Sequence, residues 1–176
     1  MVVIPVCHYL AMAKDVNVTQ SFPADVSKTF AWLSNPEAIT RVCVATGSLE
    51  TSVDVSAESL GGPVQITTVR VLPADVPAAA RSFVGETITV TESQKWRPSQ
   101  PDGARTASVE VSFSGPLGFT GELVLRPTAS GCELITRGKM KASVPLIGGT
   151  IESVAVESTE KYLRVQERLG QEELGS

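Results

Sequence analysis

The sequence has 176 residues but only one histidine, His8. Ser–His–Asp and Cys–His catalytic groups, and many zinc sites, depend on a well-placed histidine. His8 belongs to an apolar N-terminal stretch that precedes the first regular pattern in the chain. We therefore expect no histidine-based nucleophile in the folded body, and we predict neither a bound metal ion nor a cofactor.

Cysteine is also scarce, and its spacing excludes two further kinds of site. Cys7, Cys43 and Cys132 are far apart, odd in number and contain no Cys-x-x-Cys pair. A disulfide scaffold or a structural zinc site would need paired, closely spaced cysteines. Reduced thiols are typical of the cytoplasm, which is the location that we predict.

The chain has neither a net positive charge nor a long apolar run. The chain carries 15 Lys and Arg against 19 Asp and Glu, for a net charge of −4. Nucleic acid binding usually needs a clustered basic face, so we exclude nucleic acid as a partner. No apolar run approaches the roughly 20 residues of a transmembrane helix, so we expect no such segment. The sequence leaves the oligomeric state open.

The N-terminus is apolar but does not share the pattern of the rest of the chain. Residues 1–13 end in Ala-Met-Ala, which mimics a signal-peptidase site, yet no Lys or Arg precedes the apolar part. We favour a start at Met12 over a cleaved signal peptide. We predict a flexible tail at residues 1–13, one domain at residues 14–170 and a short tail at residues 171–176.

The body of the chain is a series of alternating apolar and polar runs followed by one long helical run. The alternation predicts about seven strands, and short turns between the later ones indicate antiparallel pairing. Two short helices follow the first strand, and a long helix runs from about Thr150 to Leu169. The strand at residues 64–72 changes phase near Thr67 and Thr68, which predicts a bulge there. A helix after a run of strands indicates an α+β fold.

The joint between the last strand and the long helix reads PLIGGTIES, residues 145–153. Two adjacent glycines permit a sharp change of direction, so we expect Gly149→Val to strain the backbone. Thr150 is the expected helix cap, and Glu152 is placed where the helix dipole favours negative charge. One face of the helix is nearly free of charge and should pack on the sheet. Its members are Ile151, Val154, Ser158, Tyr162, Val165 and Leu169.

Four short segments resemble those of one uncharacterised actinobacterial domain-of-unknown-function family in the START-like superfamily. They read VLPAD at 71–75, FVG at 83–85, ESQKW at 92–96 and VPLIGG at 144–149. That superfamily also includes birch-pollen-allergen-like and polyketide-cyclase-like proteins, known together as SRPBCC proteins. The resemblance implies a helix-grip fold, in which a curved antiparallel sheet wraps round a long C-terminal helix. It also implies a cavity between the two, which in this superfamily commonly holds lipids, hormones or polyketides.

Inward-facing positions predict which residues line that cavity. Several of them are small, so we expect open volume and predict that Gly138→Leu blocks binding without unfolding the protein. Among the polar residues, Arg70 and Glu92 should meet across neighbouring strands if Arg70 faces inward. The predicted ligand-binding residues are Val53, Val90, Trp96, Val109, Val111, Phe119, Leu123, Gly138, Met140, Val154, Ser158 and Tyr162.

Three functions fit these features. The first is non-catalytic binding of an apolar small molecule of lipid, isoprenoid or polyketide type. The second is a cyclase or aromatase enzyme that uses Glu92, Arg70 or Tyr162 for acid–base chemistry. The third is a protein-interaction module whose cavity is collapsed. The size of the pocket separates the first two from the third.

Overall fold

The computed structural model describes residues 13–59, 61–75 and 85–175. The predicted flexible tail, with His8 and Cys7, lies outside the described residues except for Ala13. Most of the connection after residue 75 also lies outside them. The account below concerns only the described ranges.

Seven antiparallel strands form one sheet, which confirms the predicted architecture. The chain order β1 to β7 becomes the spatial order β1-β7-β6-β5-β4-β3-β2, so every neighbouring pair except β1 and β7 is also consecutive in sequence. Alternating side chains on each strand face a common concave side, as the period of two requires. The strands are β1 (Lys14–Phe22), β2 (Glu50–Ala57), β3 (Val64–Pro73), β4 (Thr87–Trp96), β5 (Arg105–Phe113), β6 (Leu117–Thr128) and β7 (Gly131–Ala142).

Strand β3 contains no bulge, contrary to the prediction. Its pairing with β4 runs without interruption from Val64, opposite Trp96, to Pro73, opposite Thr87. The apparent change of phase arose because Val69 and Val71 are apolar although they lie on the outer phase, where they are half-buried. The unbroken register places Arg70 on the concave side, in phase with Ile66.

Two short helices follow β1, as predicted, and both have side-chain caps. Helix α1 (Val26–Leu33) begins after Asp25, whose carboxylate accepts a hydrogen bond from the Lys28 backbone N–H at 2.8 Å. Helix α2 (Pro36–Ala45) begins after Asn35, whose side chain accepts from two backbone N–H groups. Such caps satisfy donors that the first helical turn leaves unpaired.

The long helix α3 (Gly148–Leu174) is longer than predicted at both ends. It begins before Thr150 and has no side-chain cap. Residues 171–174 belong to the helix and not to a tail, and Leu174 is buried. Glu152 does not lie in the first turn of the helix, where we expected the dipole to favour its negative charge. It is buried, and its Oε1 accepts a hydrogen bond from the Ala142 backbone N–H at 2.8 Å.

The face of α3 that packs on the sheet is rotated from the predicted face. Ala155, Leu163 and Gly170 are buried, whereas Ser158 is exposed. Gly170 permits the closest approach, because a Cβ atom there would lie 2.4 Å from the Phe22 ring. The predicted face was chosen from uncharged residues and therefore left out Glu152, which is buried.

The joint before α3 also differs from the prediction. A Cβ atom on Gly149 would meet nothing within 4 Å, and its φ is not positive, so this glycine is not required by strain or contact. The unusual residue is Leu146, which adopts a φ of 68° and is 90% exposed. The backbone turn that we assigned to the glycines is therefore made by Leu146.

Candidate functional site

A cavity lies between the concave side of the sheet and α3. The helix backbone comes close to β1 and β7. Space remains where side chains from β3 to β7 face the helix, and the cavity there has a volume of about 50 Å³. Its lining consists of Leu33, Arg70, Glu92, Gln94, Trp96, Val109, Val111, Phe113, Phe119, Leu123, Leu134, Thr136, Met140, Thr159, Tyr162, Leu163 and Gln166.

One cross-strand row forms the middle of this lining. Glu92 on β4 pairs with Val111 on β5, Val111 with Phe119 on β6, and Phe119 with Met140 on β7. We call these four residues the central row. Because neighbouring strands are about 4.8 Å apart, the row extends over roughly 14 Å of sheet. It presents a carboxylate at one end and apolar side chains along the rest.

The cavity is smaller than we expected from the small inward-facing residues. A buried water needs about 10–15 Å³ of such space and a drug-sized ligand roughly 300 Å³, so the cavity has room for only a few water-sized groups. The reason is the ring of Phe119, which covers the adjacent glycines Gly121 and Gly138. A Cβ atom on Gly138 would lie 2.6 Å from Phe119 Cζ and 2.3 Å from the Thr120 carbonyl oxygen. Gly138 therefore permits close packing and does not leave space for a ligand.

Arg70 and Tyr162 stack against each other at one end of the cavity. The guanidinium carbon of Arg70 lies 4.0 Å from the centre of the Tyr162 ring. This contact joins β3 to α3, because an arginine cation is attracted to the face of an aromatic ring. The condition that we set for Arg70, that it faces inward, is thus met, and its side chain lies between the Tyr162 ring and the cavity.

Burial raises the pKa of the Tyr162 hydroxyl, and the negative charge of Glu92 raises it further while Arg70 opposes them. Burial also raises the pKa of the nearby Cys43 thiol. Both groups therefore stay protonated at neutral pH. The chemical consequence is that Tyr162 can act as a hydrogen-bond donor and does not act as a phenolate.

A hydrogen-bond relay runs along the inward side of β4. The Trp96 indole Nε1 donates to Gln94 Oε1 at 2.7 Å, and Gln94 Nε2 donates to Glu92 Oε1 at 2.5 Å. We call these three residues the β4 relay. It fixes the Glu92 carboxylate beside the cavity and satisfies one of its oxygens. Arg70 and Glu92, which were predicted to meet if Arg70 faced inward, line the same cavity but form no ion pair.

The opposite end of the cavity also contains polar side chains. Thr136 is 4% exposed, and its hydroxyl oxygen has no hydrogen-bond partner. Gln166 on α3 accepts a hydrogen bond from Gln20 Nε2 at 3.0 Å. A buried hydroxyl without a partner is costly, so this end of the cavity favours a guest or water that supplies one.

The structure gathers some of the predicted site residues and not others. The lining includes Trp96, Val109, Val111, Phe119, Leu123, Met140 and Tyr162, together with Arg70 and Glu92. Val53, Val90 and Val154 are not part of it, and neither are Gly138 and Ser158. Val90 is completely buried, whereas Ser158 points to solvent. Whether the lining residues bind a ligand remains a prediction.

Sequence reasoning missed several lining residues. Leu33 comes from the end of α1, and its role depends on how that helix packs. Leu134 and Thr136 lie on the inward phase of β7 and could have been found by alternation alone. Thr159 and Gln166 were missed because the predicted face of α3 contained their neighbours Ser158 and Val165 and was therefore displaced by one residue.

Two further kinds of feature are absent from the described ranges. Within residues 13–59, 61–75 and 85–175, no group of three or more His, Cys, Asp or Glu side chains is arranged to hold a metal ion. In the same part of the chain, no helix is long and apolar enough to cross a membrane.

Comparison with known proteins identifies the fold. No curated protein is significantly similar in sequence. Among solved structures, the STAR-related lipid transfer protein of Xanthomonas axonopodis is 17% identical, with a TM-score of 0.52, and the alignment covers 86% of this chain and 83% of that one. The Zhui aromatase/cyclase of a Streptomyces species is 13% identical, with a TM-score of 0.54 and coverages of 93% and 94%. A Thermus thermophilus protein, TTHA0849, is 15% identical, with a TM-score of 0.55 and coverages of 89% and 97%.

At these identities the similarity shows the fold alone, which is the helix-grip fold of START-like proteins. The sequence itself gives a more specific assignment. A family model described as "Protein of unknown function (DUF2505)" matches residues 17–174, nearly the whole chain. The protein is therefore a member of the DUF2505 family, with a START-like helix-grip fold.

Proposed function

We propose that this protein binds an apolar small molecule, of lipid, isoprenoid or polyketide type, between the sheet and α3, and does not transform it. The observation that carries the proposal is the chemistry of the cavity lining, because a volume of about 50 Å³ taken alone would equally fit the protein-interaction module. The cavity lies where the helix-grip fold leaves space, and its walls along the central row are apolar except at Glu92. Ligand sites in proteins are typically concave, mostly apolar and furnished with a few polar groups.

The names of two proteins with the same fold support this proposal by analogy. One is a lipid transfer protein and the other an aromatase/cyclase. Their low sequence identity means that they argue for a type of site and not for a particular ligand.

The small volume has a direct consequence for how a guest enters. A molecule of lipid size needs the lining to move, and the side chains that fill the space are Phe119, Met140 and Leu163. Methionine is flexible and adapts to irregular shapes, so movement of Met140 costs little. We expect binding to reposition these side chains and to raise the melting temperature.

The test is binding of a fluorescent naphthalene-sulfonate probe and its displacement by apolar compounds. Val111→Phe places a ring in the central row and should weaken probe binding at least tenfold. Ser112→Phe adds the same ring on the exposed side of the same strand and should leave binding unchanged. Native mass spectrometry of the protein as purified would show a ligand that is already bound.

Two results would reject the proposal. One is a wild-type protein that takes up no apolar probe, and the other is equal binding by wild type and Val111→Phe. The first result would favour the protein-interaction module.

A second candidate is an enzyme of cyclase or aromatase type, because Arg70, Glu92 and Tyr162 line one cavity. A protonated tyrosine and a carboxylate could serve as acid and base in a cyclisation that loses water. Incubation with a linear β-polyketone separates the two candidates. Recovery of the compound unchanged supports binding alone, and loss of water at a rate that falls in Glu92→Gln supports the enzyme.

The cysteines bear on where this binding takes place. Cys43 and Cys132 are free and buried, and neither is part of a disulfide. We propose the cytoplasm as the location, because free thiols persist in a reducing compartment.

A further inference from the structure

Arg70 has no anionic partner in the part of the chain that the structure describes. Its guanidinium stacks on Tyr162 and forms neither an ion pair nor a hydrogen bond with any described residue. It is half-buried at the wall of the cavity. A guanidinium has five N–H donors, and those of Arg70 are left open to solvent or to a molecule in the cavity. This arrangement points to an acceptor that is not part of the protein.

Glu92 is the acidic residue in the cavity that could pair with Arg70, but its carboxylate is hydrogen-bonded to Gln94 instead. Its Oε1 accepts from Gln94, which in turn accepts from Trp96. The register makes the two residues diagonal neighbours and not direct partners, since Arg70 pairs with Val90 while Glu92 pairs with Thr68. The β4 relay therefore holds one oxygen of the Glu92 carboxylate, and the two residues form no ion pair.

The surroundings of Arg70 restrict the kind of anion. Arg70 is the only cation among the lining residues that the structure describes, and Glu92 adds a negative charge to the same cavity. A dianion such as a phosphate monoester would be repelled by Glu92 and would find only one cation. A carboxylate has a single charge and matches the fork of a guanidinium with two oxygens.

The remaining residues of the lining indicate that the body of such a molecule is apolar. Arg70 lies in a cross-strand row with Val90 and Phe113, beside the central row. Past Glu92, the central row continues through Val111, Phe119 and Met140, which are all apolar. An acid held at Arg70 would therefore extend its chain over hydrocarbon.

We infer that the ligand is a monocarboxylic acid with an apolar body, its carboxylate bound by Arg70 and its chain lying along Val111, Phe119 and Met140. This inference rests on the proposed function and specifies the chemistry of the ligand. It makes Arg70 the residue that selects acids over neutral compounds of the same shape.

The test compares acids with alcohols of equal length by calorimetry at pH 7.5. Butanoate and octanoate carry the charge, 1-butanol and 1-octanol do not, and octyl phosphate supplies a dianion. At each length the wild type should bind the acid at least tenfold more tightly than the alcohol. Octanoate should also bind more tightly than octyl phosphate.

Substitutions of Arg70 then test whether this residue causes the preference for acids over alcohols. Arg70→Gln should weaken acid binding at least tenfold and leave alcohol binding unchanged, and Arg70→Lys should retain part of the preference. Arg137→Gln is the matched control. Arg137 lies exposed on the outer side of β7 and has no ion pair among the described residues, so its loss should change nothing.

The possible results separate the two proposals. Equal binding of acid and alcohol by the wild type would overturn the inference and leave the proposed function standing, and so would tighter binding of octyl phosphate. If the wild type binds none of the compounds and does not bind the fluorescent probe, both the inference and the proposed function are rejected. If Arg70→Gln does not fold, the comparison of acid with alcohol on the wild type still decides.

Discussion

Replacing Gly138 by alanine tests how tightly β6 and β7 approach each other. A Cβ atom on Gly138 would lie 2.3 Å from the Thr120 carbonyl oxygen, 2.6 Å from Phe119 Cζ and 2.7 Å from the Gly121 Cα. The first and third contacts are with backbone, which cannot rotate away. The strands must therefore separate, and the Phe119 ring must leave its place over the glycines.

The magnitude follows from the cost of overpacking a core, which is about 1–3 kcal/mol. Since two of the three contacts are with backbone, we expect a loss near the upper limit, about 3 kcal/mol. In a chain of this length 1 kcal/mol corresponds to a change of roughly 2–4 °C in melting temperature. Gly138→Ala should thus lower the melting temperature by about 6–12 °C. Gly138→Leu, which sequence analysis expected to leave the fold intact, should lower it further.

Gly149→Ala is the matched control. It makes the same chemical change in an exposed position of α3, where the new Cβ would meet nothing within 4 Å. Both substitutions restrict the unfolded chain equally, so their difference reports the native state. Alanine is the better helix former, and Gly149→Ala should raise the melting temperature by about 1–2 °C.

The assay is thermal unfolding followed by circular dichroism, with both variants measured in the same buffer. Melting temperatures for the two variants within 2 °C of each other would refute the close approach of β6 and β7. A loss confined to probe binding, with unchanged stability, would instead restore the original view of Gly138 as a wall of the cavity.

Two further predictions concern the ends of α3. Leu146→Gly should raise the melting temperature by about 1–3 °C, because a φ of 68° costs about 1–2 kcal/mol for a residue with a Cβ, and the extra freedom of glycine in the unfolded chain offsets about 0.4–1 kcal/mol of that gain; an unchanged or lower value would contradict it. At the other end, hydrogen bonds from Arg41 and from the Trp32 indole lower the pKa of Glu173. The carboxylate therefore stabilises the fold fully at a pH above the pKa of an unfolded glutamate. This stabilisation is lost as the pH falls through the lower pKa that Glu173 has in the folded protein. Glu173→Gln should accordingly melt below the wild type at pH 7, and the difference should shrink as the pH is lowered below about 4; a constant difference would show that the carboxylate charge is not involved.

Alternation and period predicted the sheet, its antiparallel order and the helix that it wraps. These patterns can be recognised in short stretches of sequence, because a strand or helix that buries one face must keep apolar residues on that face and polar residues on the other. The bulge near Thr67 was predicted wrongly because Val69 and Val71 are apolar on the outer side. Periodicity cannot distinguish that arrangement from a change of phase.

The candidate site was partly accessible to the same reasoning. Arg70, Glu92 and Tyr162 were recognised as polar residues on inward-facing positions, and all three line the cavity. The β4 relay was not predicted, because hydrogen-bond partners depend on rotamers that a sequence does not specify. The size of the cavity was overestimated because the position of the Phe119 ring depends on packing between strands.

The β4 relay has a direction that would orient a guest. An indole can only donate, so the Gln94 amide must turn its oxygen to Trp96 and its NH2 group to Glu92. The reverse placement would set donor against donor and acceptor against acceptor. An ionised Glu92 can only accept, while Arg70 can only donate. The cavity therefore presents a donor, Arg70, on β3 and an acceptor, Glu92, on β4. A hydroxy acid would have one preferred alignment, with its carboxylate toward Arg70 and its hydroxyl toward Glu92.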